Sequence, residues 1–433
     1  MNRSVVVVND CAAVAAIGGP VSVRSRTTPH GERNFHLNFG HVAAGLPRQL
    51  SSREMDWIET AGHLFAVDLA CARGQGDLAW SRDIEAHLPV RDVDYWNGIA
   101  HRIEDIFGEF TSDRLRLRFV SDASPDAPPR QRSSPFPPHD CVALVSGGVD
   151  SFVGAARLID EGARPLGISH TAAGATVTAQ MAVEEALRAR LPDFERVGLT
   201  ARKEGNSFPE PEKSQRSRSF LFLATALLAA AVGEVDDVYI NENGPMAIHI
   251  PMTAARVGSL STHTASPAIL ERIESLARDV LGRPLRIRNN LLELTKPEVV
   301  ELGMRLQLTE SLPSTVSCWS IGRTRKHCGV CAPCLIRRIS FEWNSLADVE
   351  RAADPFSSWT ALEADFARDN LTHFVQFIDG IASRSDLELQ LDYPEILSGG
   401  SQLSPSATIK LHRRWAAQAQ DVLYRYPVPV GLR

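Results

Sequence analysis

The sequence predicts an α/β fold built on a parallel sheet, with an α+β region before it and a helical region after it. Three observations carry that expectation. From Cys141 onward, strand-like and helix-like stretches alternate, the pattern of a parallel sheet covered by helices on both faces. Upstream, residues 121–139 hold Pro125, Pro128, Pro129, Pro135, Pro137 and Pro138, a density that sustains neither a helix nor an inner strand. Beyond residue 342, Leu and Phe recur near the helical period. The expected division is an α+β N-terminal domain (1–120), a Pro-rich linker (121–139), the α/β domain (140–341) and a helical C-terminal region (342–433).

Each element has its own reason. Ser4–Val8 is Val-rich and reads as a buried strand. Asn9 and Asp10 stop its apolar run well short of the ~7–15 residues of a signal core. Strands are expected near 34–39, 84–90 and 113–120, and helices near 52–72 and 92–109. Arg114–Phe119 alternates with period two, as a half-exposed strand does; its arginines read as a solvated face, with RNA contact as the alternative. After the linker, strands are expected at Cys141–Val145, Pro165–Ser169, Arg196–Leu199, Asp237–Ile240 and 285–288. Helices are expected at Phe152–Glu161, Val177–Arg190, Phe220–Val232, Ala268–Leu281 and 297–306.

Composition bounds the function. The chain has 433 residues, 44% of them apolar, enough to bury real cores. A formal net charge of −6 argues against a polycationic nucleic-acid binder. Seven cysteines are too few for a disulfide scaffold. No apolar run reaches the ~18–20 residues of a membrane helix. A cytoplasmic protein is expected, in which clustered thiols mean metal or chemistry.

Two motifs carry chemistry. Ala143–Phe152 places a strand before Ser146-Gly147-Gly148-Val149-Asp150-Ser151 and a helix after it. Paired glycines allow a tight turn, and the helix N-terminus presents unpaired N–H groups and a positive dipole end. This is a phosphate cradle, but neither the Walker loop nor the dinucleotide fingerprint. Asp150 offers the carboxylate oxygen that Mg²⁺ prefers.

The second motif is Cys318, Cys328, Cys331 and Cys334, spaced C-x9-C-x2-C-x2-C. Such spacing lets a chain fold around one ion, and Gly329 permits the knuckle. Zn²⁺ is expected, with an iron–sulfur cluster as the alternative. His327 is expected at the surface, with a ligand role as the alternative, and Arg337 and Arg338 face either a phosphate or solvent. Cys11, Cys71 and Cys141 read as small buried residues.

The S-G-G-V-D-S loop resembles the PP-loop of ATP pyrophosphatases, which implies the adenine nucleotide alpha hydrolase-like (HUP) fold and cleavage of ATP between its α and β phosphates. Together with the cysteine motif it resembles the QueC-like (7-cyano-7-deazaguanine synthase-like) family. Gln215–Leu223 looks like that family's Arg-initiated helix, with Arg218 matching its arginine. Leu294–Val300 is similar to its L-T-K-x-E-[IV]-V segment, with Lys296 as the lysine. This resemblance covers residues 141–340. The family's Tyr-Gly-Gln-Arg-His stretch is replaced here by Ser169–Gly174. Asn241-Glu242-Asn243-Gly244, Gly258–Thr264, Ser317-Cys318 and Cys331–Arg338 resemble the QueC-like protein of the Qat anti-phage defence system.

The resemblance implies an adenylating enzyme using ATP and Mg²⁺. Ser146, Gly147, Gly148, Val149, Asp150, Ser151 and Ser169 would hold the nucleotide. Asp150, Lys296 and Arg218 would be catalytic, the two cations offsetting charge on departing pyrophosphate. Glu242, Asn243, Ser261, His263 and Thr264 would meet a nucleobase-like acid, with His263 a candidate general base. The acid would become an acyl-adenylate that an amine attacks, the amine being a protein N-terminus in a defence complex with partner proteins. The alternatives are a 7-cyano-7-deazaguanine synthase of deazapurine biosynthesis, a tRNA-modifying enzyme with tRNA as partner, and a non-catalytic nucleotide-sensing subunit.

Overall fold

The computed structural model describes residues 4–8, 21–25, 33–73, 81–122, 131–171, 174–204, 208, 212, 214–252, 265–357 and 365–426. The N-terminal region runs β1 (Ser4–Val8), β2 (Val21–Val23), β3 (Phe35–Asn38), α1 (Gly40–Gly45), α2 (Ser52–Ala70), β4 (Asp83–Val90), α3 (Val93–Thr111) and β5 (Arg114–Ser121). β1 pairs in parallel with β2 and β4, and β4 with β5, giving a sheet of order β2-β1-β4-β5. The alternation along β5 turns Leu115, Leu117 and Phe119 inward and leaves Arg114 and Arg118 exposed. Ser51 and Glu54 close a capping box on α2.

The second sheet arises from β6 (Cys141–Leu144), α4 (Val149–Asp160), β7 (Pro165–His170), α5 (Ala175–Arg188), β8 (Arg196–Lys203), α6 (Arg218–Val232), β9 (Asp237–Tyr239), α7 (Gly244–Ile248), α8 (Pro267–Leu281), β10 (Arg286–Arg288) and α9 (Lys296–Arg305). Its order is β10-β9-β6-β7-β8-β3. β6 through β10 are parallel, as the alternation predicts. The strand order reverses at β6, with β7 and β8 to one side and β9 and β10 to the other. Such a reversal opens a crevice at the carboxyl ends of the strands, here those of β6 and β9.

β3 enters this second sheet, antiparallel to β8, with Phe35 opposite Lys203 and Asn38 opposite Thr200. The sequence grouped that strand with the other N-terminal ones. Its pairing explains why β8 continues to Lys203 instead of ending at Leu199. α2 lies against both β4 and α6, and Trp57 Nε1 donates to the Ala224 carbonyl at 2.8 Å. α4 begins at Val149 rather than Phe152, because the glycine loop feeds straight into it. β2 and α1 had no clear sequence signal. Of the expected linker 121–139, residues 121, 122 and 131–139 are described: Ser121 still belongs to β5, and 131–139 form neither helix nor strand. Phe136 is buried there, its N–H donating to the Gly45 carbonyl.

The chain ends in α10 (Ile321–Thr324), α11 (Ala332–Trp343), α12 (Asp365–Ser383), α13 (Asp386–Asp392) and α14 (Pro405–Leu423). Phe374, Ile378, Trp415 and Ala419 form a separate core with Leu335 and Ile339 of α11 and Ile248 of α7. Among the described residues, no helix is long and apolar enough to cross a membrane.

Candidate active site

The loop leaving β6 turns at Gly147, whose φ of +87° suits glycine alone at little cost. Ser151 Oγ accepts from the Ser146 N–H at 3.1 Å and donates to the Gly148 carbonyl at 3.1 Å. Ser146 Oγ lies 3.0 Å from Ser151 Oγ. These bonds fix the loop as a collar around the start of α4, whose first N–H groups and dipole can hold an anion. Gln180 Nε2 donates to the His170 carbonyl at 3.0 Å, anchoring α5 to the end of β7.

Asp150 lies in the first turn of α4. Its Oδ2 accepts from Lys296 Nζ at 2.6 Å and from Asn243 Nδ2 at 3.0 Å. Burial opposes ionisation of this carboxyl. The Lys296 charge and the donated hydrogen bonds outweigh that and hold it below the usual carboxylate range. Asp150 Oδ1 is buried without a hydrogen-bond partner, the kind of vacant acceptor a hard cation satisfies; Asp150 therefore fits Mg²⁺. Lys296 is the first residue of α9, which Thr295 and Glu298 close with a capping box and which has proline in its first turn.

Two adjoining clefts open over the loop. The polar one, about 320 Å³, is lined by the expected Ser146, Gly148, Val149, Asp150, Ser151, Arg218, Glu242 and Lys296 and also by residues not expected there, Met246 and Trp319 among them. The second, about 510 Å³, shares Ser146, Gly148 and Arg218 and is walled by Ile168, Phe222 and Trp319. Arg218 stands on the boundary. Its helix start is held from the N-terminal region: Asp68 Oδ2 accepts from the Ser217 N–H at 3.0 Å and from Ser217 Oγ at 2.8 Å.

The remaining expected residues divide. Ser169 reaches the second cleft, but its hydroxyl is committed to the Val145 carbonyl at 2.5 Å. Asn243 is fully buried and lines neither cleft: its side chain caps α7 and donates to Asp150 and Glu242. Its place is behind Asp150, a correction to the expected substrate contact. Gly147 uses its carbonyl to accept from the Val316 N–H at 2.9 Å, tying the loop to the cysteine segment. Ser261, His263 and Thr264 lie outside the described residues. The structure adds Asn241, Trp319, Phe222 and His170. All four had a neighbouring signal: Asn241 opens the Asn-Glu-Asn-Gly segment, Trp319 follows Cys318, Phe222 lies in the Gln215–Leu223 segment and His170 in Ser169–Gly174. Burial drives the His170 pKa down to about 4, so its ring is neutral near pH 7.

The four cysteine sulfurs lie within 4.8 Å of one another. Four thiolates around zinc at ~2.3 Å stand about 3.8 Å apart, and Cys328 Sγ and Cys334 Sγ are separated by 3.9 Å. The set fits a tetrahedral ion. His327 is neither a ligand in this set nor at the surface, since it is buried beside it. Arg337 and Arg338 likewise face neither phosphate nor solvent. Arg337 pairs with Asp348 at 2.7 Å, and Arg338 bonds Glu342 at 2.6 Å and covers the Phe356 ring. Cys71 and Cys141 are buried as expected, and Cys11 lies outside the described residues.

Parallel sheet, loop and crevice together define an α/β domain of the PP-loop type. The comparisons narrow this further. A family model described as "Queuosine biosynthesis protein QueC" matches residues 216–345. A "7-cyano-7-deazaguanine synthase" from Saccharophagus degradans is 29% identical over 231 residues, covering 49% of this chain and 97% of that protein. One from Syntrophobacter fumaroxidans is 29% identical over 230 residues, 48% of this chain and 94% of the relative. One from Anaeromyxobacter sp. is 34% identical over 137 residues, 30% and 52% respectively. Over residues 216–345 the chain is similar to the QueC family.

Proposed function

We propose that the protein is an ATP-dependent, ligase-type enzyme acting on a 7-deazaguanine-type acid, the deazapurine-biosynthesis reading that its relatives' names support. One observation carries the ATP half: the buried Asp150–Lys296 pair at the foot of a glycine loop and helix N-terminus, open to a polar cleft. The triphosphate follows loop 146–151, and the purine lies in the more apolar cleft against Phe222 and Trp319. Asp150 would hold Mg²⁺, which when bound neutralises charge on the phosphates.

The substrate carboxylate approaches through the cleft between Glu242 and Arg218. Its oxygen bonds to the α-phosphorus as the bond to the β-phosphate oxygen breaks, releasing pyrophosphate. Lys296 and Arg218 offset the charge on that leaving group. An amine then attacks the activated carbon and AMP departs. The four cysteines would hold Zn²⁺ with no open position, which makes it an organiser of the loop carrying Trp319 rather than a reagent. An anti-phage setting with a protein N-terminus as the amine rests on the resemblance of Asn241–Gly244, Gly258–Thr264 and the cysteine segment alone.

The test is pyrophosphate release from MgATP with 7-carboxy-7-deazaguanine and ammonium, in wild type and Asp150→Ala. Acid-dependent release by wild type and at least about 100-fold less by the variant is expected, as for loss of a group acting on the transition state. Equal rates, or none from wild type, would defeat the reading.

A further inference from the structure

The C-terminal helix α14 lies outside the segment matched by the QueC model, 216–345, and lines neither cleft. Yet one of its faces reaches behind both partners of the central ion pair. Leu411, Arg414 and Gln418 are spaced i, i+3 and i+7, and so share that face.

On the Lys296 side, Gln418 Oε1 accepts from Thr295 Oγ1 at 2.6 Å, and Gln418 Nε2 donates to Glu298 Oε1 at 3.3 Å. Arg414 Nε donates to Glu298 Oε1 at 2.6 Å, and its guanidinium also donates to the Glu293 carbonyl at 2.6 Å. Thr295 and Glu298 are the two ends of the α9 capping box, and Lys296 sits between them. On the Asp150 side, the Leu411 methyl and the Leu292 carbonyl together fill the space a Cβ on Gly244 would need. Gly244 follows Asn243, whose amide holds Asp150 Oδ2.

We infer that α14 is a positioning helix for the site: Gln418 and Arg414 hold the α9 capping box and so fix the aim of Lys296 into the cleft. A lysine is a flexible point charge, and its usefulness depends on where its backbone is held. The helix box would form without α14, because its two bonds are local; what α14 adds is the placement of that box relative to Asp150. This inference rests on the ATP-dependent reading above.

The test is a double-mutant cycle on MgATP binding, measured by calorimetry, with Gln418→Leu and Arg414→Met each made in wild-type and Lys296→Met backgrounds. Arg414 is about half exposed, its side chain at 46%, so its variant keeps the fold if Gln418→Leu does not. Each clamp substitution should weaken MgATP binding about tenfold when Lys296 is present and less than about twofold when it is absent. Arg414→Lys, which keeps the charge, should recover part of the loss. Equal losses in both backgrounds, or no loss in either, would overturn the clamp while leaving the enzyme reading intact. Wild-type protein that binds no MgATP would overturn both.

Discussion

Lys296 Nζ stands 2.6 Å from Asp150 Oδ2, across 146 residues of sequence. The pair joins the first turn of α4 to the first residue of α9, two helices that also share an apolar core through Val149, Val153, Val299 and Val300. Lys296→Met should cost about 1–3 kcal/mol in urea unfolding, because it leaves a buried carboxylate with fewer donors. The pH dependence has a definite sign. Asp150's carboxyl is held below its ordinary value, so the pair's contribution is full above the unfolded carboxyl's pKa of about 3.9 and is lost as pH falls through the folded value. The stability gap between wild type and variant should therefore stay level from about pH 7 to 5 and narrow below about pH 4.

His170 and His412 impose an earlier acid limb. Burial drives both down to about 4. A histidine whose folded pKa is depressed stabilises the fold fully above about pH 6.5 and loses that contribution as pH falls toward the folded value. Unfolding free energy should drop between about pH 6.5 and 4, by up to about 1.4 kcal/mol per pH unit for each ring. His412→Gln should flatten that slope while lowering stability at pH 7, as buffered urea titrations would show.

The cysteine cluster should carry about one zinc per chain by elemental analysis, and Cys331→Ser should lose it. Iron with visible absorbance would assign the alternative cluster. Metal removal should lower the melting temperature and shift tryptophan fluorescence, since Trp319 follows Cys318 directly. It should also weaken ATP binding, because the Val316 N–H holds the Gly147 carbonyl in the phosphate-type loop.

Asp68 should prove far more costly to change than any surface carboxylate. It accepts from Arg82 at 2.7 Å and from both donors of Ser217, with no exposed side-chain surface. Asp68→Asn leaves Asp113, among the described residues, as the one carboxylate paired with the buried Arg73 and Arg82 and should cost about 3–5 kcal/mol. Arg164→Ala, which breaks an exposed pair with Asp193, should cost about 1 kcal/mol or less. Urea midpoints of the two variants give the comparison.

The parts legible in the sequence were those written in neighbouring residues. The glycine loop, the α9 cap beside Lys296 and the cysteine knuckle all depend on short spacings and local dihedrals. They occur where the spacing placed them, and the alternation after Cys141 did predict the parallel sheet. Long-range pairings carried no such mark. Nothing local in Phe35–Asn38 says that it pairs with β8 rather than with the N-terminal sheet. Nothing in Arg337-Arg338 says that Asp348 and Glu342 will bury them. Asn243 looked like a substrate contact because its segment ends a strand at the ligand edge, and only the packing of α7 turned it behind Asp150.

By itself, then, the sequence determined a parallel α/β domain with a phosphate-type loop, a lysine on a capped helix and a four-thiol cluster, because each is specified by residues close in the chain. Tertiary structure alone decided which of these meet: Asp150 with Lys296, the cysteine segment with the loop, Asp68 behind Arg218 and α14 behind both partners of the pair. Those contacts join residues far apart in sequence, and what selects them is burial of the surfaces between them and satisfaction of the charges so enclosed.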